Sequence, residues 1–246
     1  MKTLLVTSRV TFVPENYDAL VAGLAACPQI GGLLVLENRT RKLFVKALGL
    51  AVAGAPRIGL QLLRNWFGPS ARRRADTFAA AGKPVSMLPT VNSPDAVRLV
   101  RDHGFDLVLN ARTRFIYKAD ILAAPRLGCI NIHHGLLPEQ RGTMCDLWAL
   151  FEGRPAGFSI HVMISQVDAG PILVREQVSD GADRDYLAYL LKASRRELEV
   201  VTSHLRDIEE TGRTRGSANS ASLGRAMYQG PTFAQIRSMR RRGIRL

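Results

Sequence analysis

The chain holds 246 residues, 46% of them hydrophobic and 22% charged, which suits one large domain and excludes a disordered or fibrous chain. Its formal net charge of +13 favours anionic partners, whether small ligands, nucleic acid or anionic lipid, and says nothing of the fold. Three cysteines, Cys27, Cys129 and Cys145, lack any C-x-x-C spacing, which argues against a disulfide framework or a zinc site and for a reducing compartment. The opening apolar run breaks at Ser8-Arg9, too short for a signal peptide, so the cytoplasm is the expected location.

The pattern from the N-terminus predicts a buried strand over 3–7, a helix over 15–26 and, after Gly31-Gly32, a second strand over 33–36. Residues 40–67 predict two basic, apolar helices broken near Gly54-Ala55-Pro56, and Ser70 is placed to cap a helix reaching about 81. A third strand is expected over 84–88. Ser93-Pro94 then marks a helix start, since Ser accepts an orphan backbone N–H and Pro is tolerated in the first turn. Further strands are expected over 106–110, 129–133, 158–163 and 172–178, with a helix over 144–152. A long amphipathic helix over 183–210, with Asp183 near its cap, leads to a Gly/Ser/Thr/Asn-rich loop over 211–222. Strands alternating with helices imply right-handed crossovers and an α/β fold with a mainly parallel sheet.

Charge is placed unevenly. Between 39 and 74 there are many cations and no Asp or Glu, and a second basic cluster, from Arg237 to Arg245, closes the chain. The apolar stretch 43–63 is interrupted by Lys46, Pro56 and Arg57, so it does not read as a membrane span. A basic apolar helix pair there could lie on an anionic membrane surface, or simply pack on the sheet with solvated Arg stems.

Asn131-Ile132-His133 alternates at a strand end, directing both polar side chains to one face, and ligands of open parallel sheets bind beyond strand carboxyl ends. The following loop, His134 to Gly142, carries the glycines and proline of a fixed turn. Asp168 lies in Gln166-Val167-Asp168-Ala169-Gly170-Pro171, a turn between two apolar strands. Taken singly, the remaining candidates read more simply: His161 as a satisfied strand residue, His103 and His204 as helix residues, Cys145 as a small buried hydrophobe, Trp148 as core, and Arg141 as a loop support.

Asn131-x-His133, Leu137-Pro138-x-x-Arg141-Gly142, Trp148-Ala149, Gly157-x-Ser159-Ile160-His161-x-Met163 and Asp168-x-Gly170-Pro171-Ile172-Leu173 together resemble the formyltransferase family that uses 10-formyltetrahydrofolate. The resemblance runs from about 106 to 174. It implies a Rossmann-like catalytic domain over 1–180 with a basic helical insertion at about 40–67, and a C-terminal helix and basic tail over 181–246 packed on the same domain. It implies Asn131, His133 and Asp168 as catalytic residues. Asn131 and a protonated His133 would donate to the carbonyl oxygen as an amine attacks the formyl carbon, while Asp168 would favour the imidazolium and relay the amine's proton. The co-substrate would lie against Arg114, Phe115, Ile116, Ser165, Gln166 and Val167, and the acceptor against His134, Gly135 and Leu136, with no metal. The chain departs from the family where Tyr117-Lys118 replaces a usual Leu-Pro and where His134-Gly135 and Glu139-Gln140 occupy the loop.

The expected acceptor is an amino sugar on a nucleotide carrier. Thr7 to Phe12 is not a Gly-rich phosphate loop, which counts against glycinamide ribonucleotide. Methionyl-tRNA enzymes of the family carry a further C-terminal domain, although the basic clusters keep RNA open. A lipid-carried or peptidyl amine is the alternative raised by 43–63. Hydrolysis of 10-formyltetrahydrofolate could reuse the same residues, but the hydrolases of this type carry an extra N-terminal domain.

Overall fold

The computed structural model describes residues 1–220 and 227–246. The apolar runs become strands β1 (Thr3–Ser8), β2 (Ile30–Leu36), β3 (Val85–Leu88), β4 (Leu107–Asn110), β5 (Cys129–His133), β6 (Ala156–Val162) and β7 (Ile172–Ser179). They form one sheet in the order β3-β2-β1-β4-β5-β6-β7. Pairing is parallel from β3 to β5 and antiparallel from β5 to β7. The chain first winds outward from β1 to β3 and then restarts on the other side of β1 with β4. Such a reversal opens a crevice above the carboxyl ends of the two central strands, where α/β sheets bind ligands. Strands β1 and β4 are buried along their whole length, as expected of strands covered on both faces.

Helices α1 (Pro14–Ala25), α4 (Ser70–Ala80), α5 (Pro94–Asp102), the single turn α6 (Ala119–Leu122) and α8 (Tyr186–Thr211) flank the sheet. Leu20 and Leu24 of α1 meet Val201, Leu205 and Ile208 of α8 and the strand residues Leu5, Val35 and Leu109 in one core. The first half of α8 belongs to a second core, with α2 (Arg41–Ala53), α3 (Pro56–Phe67), α7 (Cys145–Phe151) and α9 (Phe233–Arg241).

The two predicted basic helices are α2 and α3, parted at Gly54-Ala55. Ser93 caps α5 as expected, its hydroxyl accepting from the Ala96 N–H at 3.2 Å. Two caps differ. Ser70 is the first residue of α4 and donates its hydroxyl to Asp18 at 2.7 Å instead of capping. Asp185, not Asp183, caps α8 by accepting from the Ala188 N–H, while Asp183 ion-pairs with Lys192 at 3.3 Å. Helices α6 and α9 were not anticipated. The expected loop 211–222 contains Ser217, which exchanges backbone hydrogen bonds with Ile172 of β7; its last two residues lie outside those described.

Candidate active site

The register of β5 against β6 assembles the polar centre. Asn131 pairs with His161 and His133 with Ser159 across the antiparallel ladder, so each couple shares a face. The Ser159 hydroxyl donates to the Gly135 carbonyl at 2.8 Å and accepts from the Leu137 N–H at 3.0 Å, fixing the loop that leaves β5. Gln140 closes that loop: its amide oxygen accepts from the Leu136 N–H and its amide nitrogen donates to the Pro155 carbonyl. Only glycine fits at 135, where a Cβ would stand 2.5 Å from the Gln140 carbonyl oxygen and 2.7 Å from His133 Nε2.

Asp168 reaches the same place from the turn between β6 and β7, in the left-handed conformation at φ +52 that Asp tolerates better than most residues. Its Oδ2 accepts from the Gly142 N–H at 3.0 Å. Its Oδ1 lies 3.6 Å from His133 Nδ1 and 3.7 Å from His161 Nε2. The turn is braced on two sides. Arg141 donates to the Val167 carbonyl at 2.6 Å, and Asn219 donates to the carbonyls of Asp168 and Gly170. Gly170 is a close approach, since a Cβ there would run into the Val162 carbonyl oxygen.

Carbonyl oxygens only accept, and this fixes the protons. His133 Nε2–H donates to the Gln140 carbonyl at 2.7 Å, so its Nδ1 is the nitrogen turned to Asp168. His161 Nδ1–H donates to the Val162 carbonyl at 2.9 Å, which leaves Nε2 to accept from Asn131 Nδ2–H at 3.1 Å. Asn131 Oδ1 in turn accepts from Asn110 Nδ2–H at 2.8 Å, and Asn110 Oδ1 accepts from the Thr113 hydroxyl and N–H. Thr113, Asn110, Asn131, His161 and Val162 thus form one hydrogen-bonded chain with a single sense, and the second N–H of Asn131 has no partner among the described residues. Burial and then the neighbouring His133 lower the pKa of His161 from 6.5 to about 4, against the Val162 carbonyl and Asp168, which raise it. His161 is neutral at pH 7, as its accepting role requires.

His134 points elsewhere. Its Nδ1 faces Asp146 at 2.9 Å and its Nε2 faces Glu197 at 2.5 Å, with both carboxylates fully buried. Arg112 pairs with Glu197 at 3.1 Å and covers the Tyr17 ring at 4.2 Å. The Tyr186 hydroxyl donates to Asp146 at 3.0 Å. Burial and Arg112 pull the His134 pKa down, Glu197 and Asp146 push it up, and the net direction is up. Arg112 and His134, the latter held above its ordinary pKa, thus stand against two buried carboxylates beneath the loop.

Asn131, His133 and Asp168, then, converge. Gly135 and Leu136 face inward, Leu136 being 3% exposed. Of the expected co-substrate residues, Arg114, Ile116, Ser165, Gln166 and Val167 are exposed on the loops after β4 and β6, and Phe115 is half-buried among apolar residues. Trp148 is half-buried rather than core, stacking on Tyr228 and donating its indole N–H to the Gln229 carbonyl. Cys145 is fully buried and burial pushes its thiol well above the usual range, so it is not a nucleophile. Among the described residues no cluster of His, Cys, Asp or Glu could hold a metal ion. Sequence reasoning missed Asn110, Asn219 and the role of His161. Only the Asn131–His161 register could have revealed the last, and that depends on knowing that β6 runs antiparallel.

Residues 67–199 match the family model described as "Formyl transferase". The chain belongs to the formyl transferase family. Methionyl-tRNA formyltransferase of Geobacter metallireducens is 35% identical over 105 residues, 42% of this chain and 34% of that protein. The enzyme of the same description from Bacillus cereus is 42% identical over 74 residues, 30% of this chain and 24% of that one. The chain therefore matches about a third or less of the length of these curated relatives. In fold, it is similar to phosphoribosylglycinamide formyltransferase from Bacillus halodurans, with TM-score 0.61 and 17% identity over 87% of this chain and 97% of that one. A sugar N-formyltransferase from Shewanella sp. gives TM-score 0.56 and 18% identity over 96% and 86% of the two chains. This member of the family has a mostly parallel, helix-flanked sheet of the same kind.

Proposed function

We propose that this protein transfers a formyl group from 10-formyltetrahydrofolate to a primary amine, with Asn131, His133 and Asp168 as the catalytic residues. The observation that carries the reading is the 3.6 Å approach of the Asp168 carboxylate to the His133 imidazole, two residues along the strand from Asn131 and so on the same face. Both nitrogens of His133 face oxygen acceptors, an arrangement that imidazolium satisfies. The Asn131 N–H without a partner among the described residues is then one donor for negative charge on the formyl oxygen; the His133 Nδ1–H, at 3.6 Å too far from Asp168 for a direct hydrogen bond, is the second, each worth about 3 kcal/mol in the transition state. Asp168, between two imidazoles, takes the proton released by the attacking amine and returns it to the folate nitrogen as the bond from that nitrogen to the formyl carbon breaks. Exposed Ile116, Ile164 and Val167 at the loop rims offer apolar contact to a flat ring such as a pterin.

The acceptor we favour is an amino sugar on a nucleotide carrier. A carrier's phosphates would meet Lys46 and Arg114, close enough that Arg114 depresses the Lys46 pKa after burial. Methionyl-tRNA is the second reading, from the description of the relatives that match in sequence.

The test is incubation with 10-formyltetrahydrofolate and, in turn, amino-sugar nucleotides, lipid amines and aminoacyl-tRNAs. Formylation confined to tRNA removes the sugar reading, and folate release without any acceptor identifies a hydrolase. Asn131→Ala and His133→Ala should each lower kcat about 100-fold or more in protein that still unfolds cooperatively; rates near wild type refute the mechanism.

A further inference from the structure

We infer that the outer face of the α2–α3 hairpin docks on an anionic phospholipid bilayer. Helices α2 and α3 run antiparallel. Gly59 abuts the Ala51 and Ala47 backbone, and Phe44 packs on Trp66 at 5.5 Å. One residue onward from these contact positions lie Val45, Leu48 and Val52 on α2 and Leu60 and Phe67 on α3. A single residue step turns a helix by about 100°. In an antiparallel pair of right-handed helices the same step turns both to one side. Stepping back by one residue instead gives Leu50, Ile58 and Asn65, buried against the body of the protein, with half-buried Leu43 and the exposed Lys46 on that same side. The hairpin is therefore apolar on the face turned inward and apolar again on the face turned out, where Val52 is 82% and Phe67 76% exposed. That outer stripe has no partner among the described residues.

Charge selects the occupant. No Asp or Glu occurs from 39 to 74. Arg57 is paired with Asp185 and Arg73 with Asp18, but Arg41, Lys42 and Arg64, three or four residues from Val45, Leu60 and Phe67, have no acidic partner among the described residues. A nucleic acid would use those cations and leave the Val, Leu and Phe stripe in water. A second copy of the chain would cover the stripe and set like charges against each other. A bilayer with anionic headgroups satisfies both parts, apolar side chains entering the acyl boundary and cations at headgroup level. The helices have 13 and 12 residues, and none of the described helices is long and apolar enough to cross a membrane, so the hairpin lies on the surface. This stands whichever amine the active site formylates.

Co-sedimentation of the full chain with phosphatidylcholine–phosphatidylglycerol vesicles, against phosphatidylcholine alone, tests the inference. Binding should require the anionic lipid and weaken with salt. Lys42→Glu and Arg64→Glu should each lower the partition on the order of fivefold or more. Val52→Asp combined with Phe67→Asp should abolish it, and since both side chains are exposed, the unfolding midpoint should stay at the wild-type value. Equal partition into neutral and anionic vesicles, or undiminished binding by the charge variants or by the double variant, overturns the inference. So does a dimer that the double variant dissociates without any vesicle binding, or RNA binding indifferent to Val52 and Phe67 in a chain that ignores vesicles.

Discussion

His161 stands between an amide and a carboxylate, and its tautomer decides what Asn131 can offer a ligand. With the proton held on Nδ1 by the Val162 carbonyl, Nε2 takes one N–H of Asn131 while Asn110 takes the amide oxygen. His161→Leu removes that acceptor, and Asn131 can then rotate away from its reactive pose; kcat is expected to fall about tenfold with the KM for the amine little changed. His161→Gln supplies another acceptor and should recover most of that loss. Wild type also separates from both variants in pH. Folded His161 stays neutral down to about 4, whereas in the unfolded chain it takes a proton near 6.5. Between those values the unfolded state binds more protons, so this residue stabilises the fold above 6.5 and the benefit disappears as pH falls toward 4. Denaturant titrations should show the stability difference between wild type and His161→Gln shrinking over that window. An unchanged kcat in His161→Leu would mean that the hydrogen-bonded chain does not hold Asn131.

At the scale of elements, the loop after β5 is clamped from below by charges contributed by four different segments. Arg112 follows β4, His134 follows β5, Asp146 opens α7 and Glu197 sits midway along α8, where that helix passes from one apolar core to the other. Periodicity marked most of these elements, because apolar spacing is a local property. The clamp was not legible, since its charges lie up to 85 positions apart (112 against 197) and a lone Glu on an amphipathic helix reads as solvated. Nor was His134, which reads equally as a ligand contact or a loop support until Asp146 and Glu197 are seen beside it. Glu197→Gln would leave Arg112 without its carboxylate and His134 with one carboxylate instead of two. The expected cost is about 3 kcal/mol, or roughly 10 °C in Tm for a chain of this size. The raised pKa of His134 adds a sign: its contribution is present at low pH and lost as pH rises through the folded value. The deficit of Glu197→Gln relative to wild type, followed by thermal unfolding, should therefore be larger in acid than in alkali. A deficit independent of pH would assign the damage to Arg112 alone.

In the whole molecule, the C-terminal third is part of the scaffold. Ser217 pairs with β7, Asn219 holds the Asp168 turn, and Tyr228 pairs with Gly142 and Thr143 on the opposite rim of the site. Helix α9 was hidden in the sequence by its arginines, which read as a basic tail, although Thr232 and Gln235 form a capping box that marks a helix start. Ile236, Met239, Ile244 and Leu246 are buried in the second core beside Tyr186, Tyr189 and the residues of α3 and α7, and Arg245 joins Arg57 on Asp185. Removing each large buried apolar side chain costs about 2–5 kcal/mol, so their joint loss is comparable with the entire stability of an ordinary domain, roughly 5–15 kcal/mol. The first core draws on β1, β2, β4, β5, α1 and the second half of α8 and contains none of these tail residues. Deleting 232–246 should thus loosen the molecule unevenly. Amides of α3, α7 and the first turns of α8 would lose hydrogen-exchange protection, while those of β1 and β4 keep it. Formyl transfer should fail with the second core, because α7 carries Asp146 and follows directly on the loop that orients His133 and receives Asp168. Wild-type protection throughout the truncated chain would make the tail an accessory and leave the rigidity of the site to β5 and β6 alone.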